Sequence, residues 1–92
     1  MSAEFKKAAE DSRKLKQKPN QDELLELYSN FKQGSQDPPF EKIDKPGMFD
    51  LTGKAKYNAW QKVVDAGTTP AAAQANYVKL VEGLKKKYGF DG

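Results

Sequence analysis

Apolar and small residues return every three or four positions in four separate stretches of this chain. The first holds Phe5, Ala8, Ala9, Ser12 and Leu15, which predicts a helix from about Ala3 to Lys16. Ser2 suits its cap, Glu4 favours the positive first turn, and Lys18-Pro19 closes it. The second stretch presents Leu24, Leu27, Tyr28 and Phe31, with Leu25 and Lys32 beside them. Asn20 and Glu23 stand three apart as a capping box before it, and Gly34 is its expected stop. A third helix is expected from about Thr52 to Ala66, carrying Ala59, Trp60, Val63 and Val64 and ended by Gly67. The fourth opens on Thr69 as cap and Pro70 as first helical residue. Its stripe is Ala73, Tyr77, Leu80, Val81, Leu84 and Tyr88, and Lys85, Lys86 and Lys87 oppose the negative helix end before Gly89.

No alternating strand pattern, internal repeat or low-complexity tract interrupts this series, so the fold class is all-α. Ser35 to Asp50 breaks the helical rhythm with Pro38, Pro39, Pro46 and Gly47. A connection this long is uncommon in a small domain and points to function or mobility. Phe40, Ile43, Met48 and Phe49 are expected to hold it down on the helices.

The chain has 92 residues, enough for one domain, 1–92, with a single modest core. No apolar run approaches the ~18–20 residues of a membrane span. Met1 to Glu10 lacks the apolar run of a secretory signal, and Ser2 in place of glycine excludes N-myristoylation. There is no Cys and no His, which removes disulfides, thiolate metal sites and the usual general base. An enzyme is therefore not expected, and neither a metal nor a cofactor. The 16 basic and 13 acidic residues leave +3, a balance better suited to a small polyanion than to a nucleic-acid track.

Tyr28, Phe31 and Lys32 stand at i, i+3 and i+4, so two rings and one ammonium share one helix patch. Rings offer a surface to a nucleobase and the ammonium offers a charge to a phosphate. The same rings also suit a core, with Lys32 merely solvated. Lys56 and Trp60 lie on one side of the third helix, Trp60 as anchor and Lys56 at a rim; Lys54 reads as ordinary surface. Gly47 and Gly53-Lys54 do not make a phosphate loop, because the closing Ser or Thr and the preceding strand are missing.

These pieces stand together in a familiar order. Ala3-Glu-Phe-Lys-Lys-Ala-Ala-Glu10, Leu15-Lys-Gln-Lys-Pro19, Leu27-Tyr-Ser-Asn-Phe-Lys-Gln33, Lys45-Pro-Gly-Met48, Gly53-Lys-Ala-Lys-Tyr-Asn-Ala-Trp60, Tyr77 and Leu84-Lys-Lys-Lys-Tyr-Gly89 resemble the acyl-CoA-binding protein family from end to end, in its small single-domain form. The resemblance implies a four-helix up-down-down-up bundle with a shallow bowl for the ligand. It also implies that Tyr28, Lys32 and Lys56 hold the 3′-phosphate of CoA, while Phe31 lies against the adenine. The family has a tyrosine at that last position, so its hydroxyl bond is absent here. Arg13 would approach the phosphates and Tyr77 would close the nucleotide end. Thr52 replaces a position that is often Lys, and the loops before Lys45 and around Asp65 to Thr69 are longer than in the short form.

The expected function is binding of medium- to long-chain acyl-CoA esters, as an intracellular, cytoplasmic carrier and pool former. Phe5, Ala8, Ala9, Leu15, Leu25 and Met48 are the expected groove for the acyl chain. Long-chain acyl-CoA is the expected partner, with no nucleic acid and at most transient membrane contact. A monomer is expected because no long heptad seam is present. Two other readings compete: a helical module whose groove takes a partner helix, and weak nucleic-acid binding through the lysines.

Overall fold

Each helix begins on a side chain that takes up a free backbone N–H. In the computed structural model, which describes residues 2–91, α1 spans Ala3–Asp11, α2 Gln21–Ser35, α3 Leu51–Asp65 and α4 Pro70–Tyr88. Ser2 Oγ accepts from Phe5 N–H at 3.1 Å and Thr69 Oγ1 from Ala72 N–H at 3.1 Å. Asn20 and Glu23 exchange hydrogen bonds of 2.9 Å each, closing the capping box. Asp50 caps α3, one residue earlier than the pattern suggested, by accepting from Gly53 N–H at 2.9 Å. That carboxylate folds back so tightly that a Cβ on Gly53 would overlap Asp50 Oδ2. Glycine there is what lets this cap close.

The directions of the helices follow from which ends meet. Glu23 at the start of α2 pairs with Lys87 near the end of α4, and Gln74 Nε2 donates to Gly34 O at 2.9 Å at the opposite ends. Those two helices are antiparallel. α1 runs with α4, since Ser2 N–H donates to Gln74 Oε1 and Lys85 Nζ pairs with Asp11 at 2.6 Å. α2 and α3 also run alike, with Gln33 Nε2 reaching Thr68 O beyond the end of α3 at 2.7 Å. The order is up-down-down-up. Two parallel neighbours need a connection that travels back the length of a helix, about 22 Å for the 15 residues of α2. The long segment between α2 and α3 makes that return, with one 3-10 turn at Phe40–Lys42.

The core lies between α1, α2 and α4, where Phe5, Ala8, Leu27, Tyr77, Val81 and Leu84 are buried together. Trp60 is also buried but packs elsewhere, under Phe40 at 5.2 Å between centroids. Among the described residues no helix is long and apolar enough to cross a membrane.

Four expectations need correction. Helix α1 stops at Asp11, and a 3-10 turn at Ser12–Lys14 follows instead of further helix. Ser12 Oγ turns back on Ala9 O, and Lys14 to Lys16 then pairs with the far end of the chain through Lys16 N–H to Gly89 O and Asp91 N–H to Lys14 O. Gly34 is not a stop; α2 runs on to Ser35 and ends on Gln36 in the left-handed region. Met48 and Phe49 do not pack on the helices but face water, while Phe40 alone of the loop's rings is pinned against Tyr57 and Trp60. The lysine run, expected only to oppose the negative helix end, also pairs with carboxylates: Lys85 bridges Asp11 and Glu82, and Lys87 bonds Glu23.

Gly34 is buried because α4 comes in close. A Cβ there would sit 2.9 Å from Gln74 Cγ, 3.1 Å from Phe5 Cζ and 3.3 Å from the Gln74 backbone N. Gly34→Ala is expected to lower stability by about 1 kcal/mol, because overpacking outweighs the better helix propensity of alanine. Urea unfolding checks this, and a stabilised variant would contradict the close approach.

Glu23 accepts from the Tyr88 hydroxyl, the Lys87 ammonium and Asn20 N–H, which hold its pKa at about 2 against an ordinary 4.5. A carboxylate held low in the folded state stabilises fully above 4.5, and that stability drains away as pH falls through about 2. Asp11 is held below its usual range as well, chiefly by Lys85. The melting temperature is therefore expected to fall across that acid window, and to fall less in Glu23→Gln. A thermal melt series against pH reads the difference.

Candidate functional site

Helical spacing puts Tyr28 and Lys32 one turn apart on α2, and Lys56 one turn before Trp60 on α3. Because α2 and α3 run parallel and in contact, these two rows face each other. Lys32 Nζ lies 5.9 Å and Lys56 Nζ 5.3 Å from the centroid of the same Tyr28 ring. Among the described residues neither ammonium has a carboxylate or carbonyl within bonding distance. Two uncompensated positive charges about one ring make a place for an anion. Burial pushes the Tyr28 phenol above its ordinary pKa, so its hydroxyl stays a neutral donor.

The ring is braced from behind. Tyr28 meets Trp60 edge-on at 6.5 Å, and Trp60 Nε1–H donates to buried Gln33 Oε1 at 3.0 Å. Gln33 in turn donates to Thr68 O and accepts at the same Oε1 from Gln36. One amide thus ties α2 to α3 and to the turn after it. Gln33→Leu leaves the Trp60 N–H without its acceptor in a buried place, at an expected cost of about 1–3 kcal/mol. Chemical denaturation measures that loss; unchanged stability would show that another group takes over the bond.

The remaining predicted residues do not all gather here. Phe31 and Tyr28 part company, for Phe31 turns to Phe5 at 5.4 Å and Tyr77 at 5.6 Å and is half-buried in the core. Tyr77 is buried too, and its hydroxyl donates to Ser12 Oγ at 3.2 Å. Arg13 follows Ser12 on the 3-10 turn and is exposed. Phe5 has 0% exposure and Ala8 only 5%, so the packing of α1 on α4 buries both. Ala9 and Leu15 are partly buried against that core, Met48 stands in water, and Leu25 is half-buried.

The six groove residues therefore do not form one trough in this conformation. Leu25 borders a groove of about 660 Å³ between α2 and α3, with Ala55, Ala59, Lys62 and Val63 across from it. Ala8 borders a different hollow of about 190 Å³ between α1 and α4, with Lys7, Asp11 and Val78. The helical stripe of α1 was read correctly as apolar, but α4 already covers it.

The family model described as "Acyl CoA binding protein" matches residues 2–81, which contain every helix that carries this site. The chain belongs to the acyl-CoA-binding protein family. It is similar to "Acyl-CoA-binding protein homolog 1" of Caenorhabditis elegans, 48% identical over 97% of this chain and 99% of that one. It is also similar to "Acyl-CoA-binding protein homolog" of Drosophila melanogaster, 44% identical over 96% and 98% of the two chains. Among solved structures, that of Oryza sativa Acyl-CoA-Binding Protein 2 superposes with a TM-score of 0.79 at 30% identity, covering 91% of this chain and 89% of that one. An acyl-CoA-binding protein bundle and the observed helix order thus agree.

Gln33, Tyr57 and Lys54 matter to the site and escaped the sequence reading. Gln33 lay inside a quoted motif without being singled out, and only its burial reveals its work. Phe40 and Tyr57, 5.0 Å apart, extend the aromatic stack from Trp60 toward the loop. Lys54 is not ordinary surface, since it donates to Met48 O at 2.7 Å and holds the loop to α3. A lysine one turn after a helix cap was the available signal.

Proposed function

We propose that this chain binds medium- to long-chain acyl-CoA esters and serves as their cytoplasmic carrier and pool former, as a monomer and not as an enzyme. One observation carries the reading: the ammonium groups of Lys32 and Lys56 converge on the Tyr28 ring. A 3′-phosphate between them gains two charge-assisted bonds, and the neutral Tyr28 hydroxyl adds a third donor. Arg13 is free to swing toward the pyrophosphate from its exposed turn. The adenine has the half-buried Phe31 ring to lie on, and Tyr77 takes part only through its hydroxyl. In this reading Leu25 with Ala59 and Val63 offers the acyl chain its apolar cover, while Met48, Ala9 and Leu15 join only where the chain extends to them.

The division of labour follows from chemistry. Phosphates select CoA over other amphiphiles, while each buried methylene adds about 0.8 kcal/mol. The absence of His and Cys from the sequence supports a carrier over a catalyst. Titration calorimetry tests the reading with three ligands: hexadecanoyl-CoA, CoA and hexadecanoate. The thioester is expected to bind far more tightly than either half alone. Equal affinity for the thioester and the free acid would end the proposal. Mass spectrometry of the freshly purified protein is expected to find acyl-CoA bound.

A further inference from the structure

Three large apolar side chains stand in water within four residues of the segment that opens α3. Phe49 is 92% exposed, Leu51 76% and Met48 74%. Nothing about this tip is loose. Asp50 N–H donates to Gly47 O, Leu51 N–H to Phe49 O, the Asp50 carboxylate caps α3, and Lys54 Nζ holds Met48 O at 2.7 Å. The backbone thus fixes the apolar groups outward.

We propose that Phe49 and Leu51, with Met48 between the lysines, form the contact by which this protein touches an anionic bilayer. The inference rests on the carrier reading above. Its cargo is an amphiphile whose long chain partitions into lipid, so loading and delivery take place at a lipid surface. A protruding tip does not suit a partner helix, which needs a groove. A fluid hydrocarbon surface moulds around such a tip, and a buried Phe or Leu contributes there by the ordinary transfer of apolar area. Lys45 and Lys54 flank the patch around one shared hollow with Pro46 and Tyr57, placed to meet lipid phosphates. Of the acidic groups on the segment, Asp50 is turned back onto Gly53 N–H, and Glu41 and Asp44 precede the patch on the loop. Lys56 stands one helical turn and a residue beyond Leu51, so the phosphate site lies close to the bilayer when the tip is seated.

The experiment compares the full chain with the double variant Phe49→Ser/Leu51→Ser. Co-sedimentation with mixed phosphatidylcholine–phosphatidylserine vesicles reads membrane contact, and calorimetry with dodecanoyl-CoA in free solution reads the cargo site. The variant is expected to lose about tenfold or more in vesicle binding while its dodecanoyl-CoA affinity stays within about twofold. Circular dichroism melts confirm that both chains fold. Vesicle binding that is absent in the wild type, or equal in the variant, overturns the proposal. So does a variant whose loss falls on dodecanoyl-CoA in solution, since the patch then walls the acyl site. Failure of the carrier reading is distinct: the wild type then gives no heat with dodecanoyl-CoA at all.

Discussion

Replacing Lys32 and Lys56 together with alanine is expected to weaken hexadecanoyl-CoA binding by about 3–6 kcal/mol, or two to four orders of magnitude. Each charge-assisted bond to a phosphate is worth about 1.5–3 kcal/mol. Both ammonium groups lie within 6 Å of one ring centroid, so they act on the same anion and not on two. The single variants are then expected to couple, their summed losses differing from that of the pair. Stability is expected to change by no more than about 1 kcal/mol, because each ammonium gives up only a solvent-accessible contact with the Tyr28 ring and, among the described residues, no carboxylate or carbonyl partner. The loss is also expected to shrink as salt rises, since the wild type itself loses its electrostatic advantage there. Calorimetry of the four proteins at two ionic strengths measures all of this. Unchanged affinity in the double variant would move the phosphate elsewhere.

Lengthening the ligand is the second large lever. From octanoyl-CoA to hexadecanoyl-CoA the gain is expected to reach up to about 6 kcal/mol at ~0.8 kcal/mol per methylene, less the cost of ordering the chain. Heat capacity changes are expected to become more negative in step, as apolar area leaves water. The slope should flatten once the chain outgrows the α2–α3 groove past Leu25 and Val63. Leu25→Ala is then expected to lower the slope only for the carbons that pass that point. An affinity independent of chain length would leave the groove without a role and the phosphates with all of it.

Local chemistry was legible in the sequence, and long-range packing was not. Asn20 with Glu23, Thr69 with Pro70 and the stripe from Ala73 to Tyr88 each state their structure within a few residues, and each was read correctly. The course of the chain after α1 depends on Gly89 and Asp91, far along the chain, as well as on Ser12, so no window around Arg13 contains the whole cause. Gly34 carries the same lesson. A glycine after an apolar stripe looks like a helix stop, yet it marks where α4 approaches. In the candidate site, the pairing of Tyr28 with Lys32 follows from spacing, whereas the arrival of Lys56 needs the parallel crossing of α2 and α3. Phe5 and Ala8, expected in the groove, lie in the core for a related reason. Periodicity shows that a face is apolar but not whether a neighbour or a ligand covers it.

The union of α1 with α4 bears on how the molecule is made. Asp11 and Lys85 are 74 positions apart, and Tyr77 and Ser12 are 65 apart. On a ribosome α1 emerges long before α4 and waits for it before its apolar side finds shelter. α2 and α3 can meet earlier, through Gln33 and Trp60, and so offer the seed on which the rest condenses. Closing the ring of helices is then the late event, and a nascent chain halted before Tyr77 carries an uncovered Phe5.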